Sequence, residues 1–190
     1  TGANNVAIGY QSLHNNTTAG YNSAVGQNAL EANTTGQYQT AMGQGALASS
    51  NADHNSAFGV SALSGCTTGV HNTAMGRNAA PSLTTGTNNV AIGNYTLSGT
   101  VTGASNIGVG YAALNALSTG SNNVAVGRDA LVAVTSHGGC TAVGHKAARV
   151  NAVDGTTAIG NNALLANTTG ANNTAVGREC MTPNTTGANN

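Results

Sequence analysis

Five histidines, three cysteines and ten charged side chains are the main chemistry-bearing residues of this 190-residue chain. His14, His54, His71, His137 and His145 would be the natural metal ligands or proton carriers, but no two of them stand at a tight ligand spacing. All but His145 fall in polar stretches or at the entrance to apolar ones, where a histidine is ordinarily a solvated turn residue. Cys66, Cys140 and Cys180 occupy three unrelated places and form no Cys-x-x-Cys pair. They read as small apolar fillers of Ala-like or Asn-like slots, not as a disulfide framework or a zinc site. No Ser-His-Asp arrangement, carboxylate pair or phosphate loop stands out, so neither an enzyme nor a bound cofactor or metal is expected.

The charges point the same way. Five basic and five acidic residues leave no net charge. Without a basic face there is nothing to neutralise phosphates, which argues against nucleic acid and against an anionic membrane surface as partners. No apolar run approaches the roughly 18 residues of a membrane helix, and the chain opens on no visible signal peptide. Arg77, Arg128 and Arg178 recur three repeats apart, about 14 Å when stacked, too far to clamp one ligand. Asp129 and Glu179 are expected to partner neighbouring rungs, and a sparse ligand strip is the alternative to solvated edge charges. Tyr10, Tyr21, Tyr38, Tyr95 and Tyr111 fall at differing phases, which argues against one aromatic platform.

What positions these residues is a repeat. A polar residue, a variable one, Ala, an aliphatic and Gly recur from Asn5-Val6-Ala7-Ile8-Gly9 to Asn173-Thr174-Ala175-Val176-Gly177. The closing glycines are Gly9, Gly26, Gly43, Gly59, Gly76, Gly93, Gly110, Gly127, Gly144, Gly160 and Gly177. Their spacing is 17 residues, shortened to 16 twice, in the returns Ala48 to His54 and Arg149 to Gly155. A period this strict means one supersecondary unit stacked on itself. Recurrent Gly, Asn and Thr disfavour helix, and the apolar residues alternate with a period of two. The fold class expected is therefore all-β, a parallel β-solenoid of about eleven coils forming one repeat domain over residues 1–190.

Each repeat divides into parts. The first strand carries an apolar column, Ile8, Val25, Met42, Phe58, Met75, Ile92, Val109, Val126, Val143, Ile159 and Val176, and on its other face an Ala, with Gly108 as the one exception. The glycine that follows permits a positive φ at a corner. A short pair such as Ala29-Leu30, Ala46-Leu47 or Ala130-Leu131 then reads as a second strand that sends one large aliphatic inside. Asn33-Thr34-Thr35-Gly36 and Asn167-Thr168-Thr169-Gly170 read as polar returns. Stacked rungs would superpose Asn5, Asn22, Asn55, Asn72, Asn89, Asn106, Asn123 and Asn173 into a hydrogen-bonded ladder, interrupted at Gln39, Cys140 and Thr156.

A thin roll buries only one face of such a strand. If Ala faces inward against Leu, the Ile/Val/Met/Phe column becomes an apolar stripe along the rod and a candidate oligomer interface; the two faces could also be exchanged. Residues 1–5 and 186–190 both read Thr-Gly-Ala-Asn-Asn. A whole number of repeats without a capping copy suggests a piece of a longer shaft.

The repeats Asn5-Val6-Ala7-Ile8-Gly9, Asn89-Val90-Ala91-Ile92-Gly93 and Asn123-Val124-Ala125-Val126-Gly127 resemble the head repeats of YadA-like trimeric autotransporter adhesins. The longer pattern Asn-Thr-Thr-Gly-x-x-Asn-Thr-Ala-Val-Gly-x-x-Ala-Leu also resembles repeats of bacteriophage tail-fibre proteins. The resemblance implies a left-handed β-roll assembled as a homotrimer, extracellular, on a cell or virion surface, with a host-surface glycan or protein as outer partner. The period here is longer than that of adhesin heads, which favours the fibre branch. Two rivals stand beside this structural and adhesive reading. One is an ice-binding β-solenoid, suggested by Thr34-Thr35, Thr67-Thr68, Thr84-Thr85 and Thr168-Thr169. Against it, adjacent Thr residues on a strand point to opposite faces. The other is a self-assembling extracellular filament subunit.

Overall fold

The computed structural model describes residues 2–190. It is a parallel β-solenoid of about ten turns, with no helix among the described residues. Eleven three-residue strands form one sheet: β1 (Val6–Ile8), β2 (Ser23–Val25), β3 (Thr40–Met42), β4 (Ser56–Phe58), β5 (Thr73–Met75), β6 (Val90–Ile92), β7 (Ile107–Val109), β8 (Val124–Val126), β9 (Thr141–Val143), β11 (Thr157–Ile159) and β13 (Thr174–Val176). Two-residue strands β10 (Val150–Asn151) and β12 (Ala166–Asn167) pair separately. Every neighbour in the main sheet is parallel and in register, so Ala24 lies over Ala41 and Ala41 over Ala57. The first shortened return is absorbed outside the sheet, because Thr40 still pairs with Ser56.

The core is a thin column between the sheet and the stretch after the corner. Ala24, Ala41, Ala57, Ala74, Ala125, Ala142, Ala158 and Ala175 are fully buried. Facing them are Leu30, Leu47, Leu63, Leu97, Leu114, Leu131 and Leu164, also fully buried. The Ala side therefore faces in, and the choice between faces that the sequence leaves open is settled. A strand with two apolar faces would ordinarily be covered on both; here the outer one is not.

The expected second strand does not form. At every rung the Leu-type position is left-handed, with φ between 45° and 53° from Leu13 to Met181. It still bonds to the next rung, as in Leu30 N–H to the Ala46 carbonyl at 3.1 Å and Leu114 N–H to the Ala130 carbonyl at 3.1 Å. A side chain in that conformation is strained by roughly 1–2 kcal/mol. Full burial of a Leu, about 1.5–3 kcal/mol, offsets it. The coil is narrow because this tight turn replaces a strand.

The corner glycines are needed twice over. All eleven have φ between 127° and 140°. In the ten below the last rung, an added Cβ would also come within 2.8 Å of the next corner glycine's backbone.

Candidate interaction surface

Burial alternates from the return into the strand, as in Tyr38 exposed, Gln39 buried, Thr40 half-buried, Ala41 buried and Met42 exposed. Two columns therefore point in and three point out.

The inward polar column is the asparagine ladder. Asn22, Asn55, Asn72, Asn89, Asn106, Asn123 and Asn173 are all at most 1% exposed, and Asn5 is half-buried. Asn89 is typical: its Nδ2 donates to Asn72 Oδ1 at 3.2 Å and to the Gly103 carbonyl at 3.0 Å. Its Oδ1 accepts from the backbone and side-chain nitrogens of Asn106, both at 3.0 Å. The expected interruptions are partial. Gln39 and Cys140 still donate their backbone N–H to Asn22 and Asn123, at 2.9 and 3.1 Å. A second inward set, Asn33, Asn167 and Asn184, looks like turn residues in the sequence. Each donates Nδ2 to the carbonyl of the return glycine three residues on, at 2.7–2.9 Å. Its sequence signal was the recurring Asn-Thr-Thr-Gly.

Cys66 occupies that same slot, with Sγ 3.3 Å from the Gly69 carbonyl. Burial pushes its thiol up to about 11. Burial also raises Cys140, with Asp154 adding to it. Neither thiol is an activated nucleophile.

The outward apolar column remains open along the molecule. Ile8 and Val176 are 60% and 63% exposed, Met42, Met75, Ile92, Val143 and Ile159 are exposed, and Val25, Phe58, Val109 and Val126 are half-buried.

The five tyrosines form no single platform, but two of them join two exposed histidines in a stack. Tyr21, Tyr38, His54 and His71 share one phase, each five residues before its corner glycine. Their rings stack with centroids 5.0 Å apart at every step and planes within 9° of parallel. All four are exposed and left-handed, with φ of 56–61°. At the same phase other rungs place Asn88, Asn122 and Gly139, types that tolerate this conformation better. Tyr95 and Tyr111 meet edge-on at 6.0 Å, and the Arg128 guanidinium lies 5.6 Å from the Tyr111 ring.

The carboxylates pair within a rung, not between rungs. Arg128 meets Asp129 at 3.5 Å and Arg178 meets Glu179 at 3.2 Å. The paired threonines are likewise not on strands. The hydroxyls of Thr34 and Thr35 both donate to Asn51 Oδ1, at 3.0 and 3.1 Å. Thr67 and Thr168 donate theirs to the Thr84 and Thr185 carbonyls.

No family model, curated protein or solved structure matches the chain.

Proposed function

We propose that this chain is a shaft or head segment of a homotrimeric fibre, with the coils wound as a left-handed β-roll of about eleven turns. Its place is extracellular, on the surface of a cell or virion, where it supports attachment to a host or other surface. The observation that carries this reading is the uncovered apolar column from Ile8 to Val176 on a sheet without strand charges. Such a stripe is costly in water and self-complementary by repetition. Three copies around an axis cover it with closed symmetry. Each covered aliphatic contributes about 1 kcal/mol at about 25 cal/mol per Å². Sedimentation velocity on the native chain should give a trimer; a stable, well-folded monomer at micromolar concentration overturns the assembly.

Ice binding is the second reading. The half-buried outward hydroxyls of Ser23, Thr40, Ser56 and Thr73, and again of Thr141 and Thr157, favour it. Val90, Ile107 and Val124 break that row, and of the paired threonines Thr34, Thr35, Thr67 and Thr168 spend their hydroxyls on protein acceptors. Strong inhibition of ice recrystallisation would reverse the order of the two readings.

A further inference from the structure

Where the repeat departs from itself, it opens a hollow. Two positions after each corner glycine, successive rungs carry Asn28, Gly45 and Ser61; five positions after it they carry Glu31, Ala48 and Ser64. The middle rung thus holds the smallest side chain at both positions. The result is a cavity of about 490 Å³ spanning three rungs, within the usual range of small-ligand sites. Gly45 is not there for its backbone. Its φ of 65° is shared by Asn28 at 59° and Ser61 at 56°, which carry side chains. A Cβ on Gly45 would meet nothing nearer than Ser61 Oγ at 3.8 Å.

The lining has a definite chemistry. Glu31 is oriented by Asn28, whose Nδ2 donates to Oε2 at 2.6 Å. Neither ion pair of the described residues involves it. Its Oε1 has no protein partner among them, and no cation lines the cavity. Gln27 and Gln44 add amides that both donate and accept. Ser64 donates its hydroxyl to the Pro81 carbonyl at 3.3 Å, which leaves its lone pairs to accept. Val60, 43% exposed, supplies an apolar spot.

We infer that this hollow binds a hexose unit, neutral or amine-bearing. A carboxylate beside amides and hydroxyls matches neighbouring sugar hydroxyls, Val60 matches the C–H face of a ring, and the uncompensated negative charge rejects sulfated or carboxylated sugars. The site is built within one chain. It therefore goes beyond the fibre reading, and sugar binding and assembly are measured separately on the same samples.

The test uses methyl glucoside, methyl glucosaminide and glucuronate, followed by saturation-transfer NMR and by amide shifts of the native protein. The first two should bind and shift the Gln44 and Gly45 amides, while glucuronate should not. Gly45→Asn places in the hollow the residue that Asn28 and Asn162 carry in the same conformation, so the coil should fold as judged by circular dichroism. Binding should fall at least tenfold. Ala48→Glu, which copies Glu31, should do the same, and Glu31→Gln should weaken the amine sugar more than the neutral one. Absence of binding by either glycoside, undiminished binding in both filled variants, or equal binding of glucuronate overturns the proposal.

Discussion

At the scale of single residues, two exceptions to the repeat compensate each other. Gly108 replaces the Ala of every other rung, and Thr96 replaces the smaller Ala29 or Ala46 of its own column. A Cβ on Gly108 would lie 2.6 Å from Thr96 Cγ2. Gly108 has no unusual φ, so the conflict is purely steric. Gly108→Ala should destabilise by about 1–3 kcal/mol, as overpacking does. Adding Thr96→Ala should recover most of that loss, and a double-mutant cycle in denaturant with no coupling would refute the pairing. Cys66 is an exception of another kind. Burial pushes its folded thiol up to about 11 from an ordinary 9.0. The folded state holds this proton more tightly, so its contribution is intact below pH 9 and lost as pH rises from there towards 11. The loss approaches about 2.5 kcal/mol. Unfolding measured from pH 8 to 11 should fall more steeply in the parent than in Cys66→Ala; parallel curves would contradict the assignment.

At the scale of elements, three-residue strands and tight turns cannot hold a coil alone. The inward asparagines supply the missing cohesion, because one amide serves its own rung and two neighbours. Asn89→Ala would strand the Gly103 carbonyl and the Asn106 backbone N–H in a dry interior. The expected cost is about 3 kcal/mol, since each buried unpaired group costs about 1–3 kcal/mol. Amide exchange at Asn106 should accelerate with it. Unchanged stability and exchange would mean that the ladder is ornamental. The left-handed Leu turn shows how burial overrides local preference: nothing in Ala-Leu favours positive φ, yet only that conformation turns the Leu inward within so short a coil.

For the whole molecule, the arrangement is a rod with a dry Ala/Leu/Asn interior and an apolar stripe outside. Val109 and Val126 lie in the middle of that stripe and are half-buried already in one chain. Replacing either with Asp leaves the coil interior untouched, so the chain should keep its β signal by circular dichroism and lose the proposed trimer by sedimentation. A trimer that survived both substitutions would move the axis to another face. The stacked Tyr21–His71 rings and the hollow share the rungs of β2 to β4, the stack running on to β5.

The amino-acid sequence by itself determined the solenoid, its period, the glycine corners, the Ala slots and the loops that absorb a lost residue. It could do so because each of these recurs at every rung, and a stacked fold repeats any constraint that the backbone imposes. Only the tertiary structure decided what depends on direction. It showed which strand face turns in, that the Leu stretch is a turn and not a strand, and that the asparagines of the return point inward. It also aligned Tyr21, Tyr38, His54 and His71 into one stack and hollowed the surface at Gly45 and Ala48. Those outcomes follow from φ signs and from the direction each side chain faces, which a period counted along the chain does not carry.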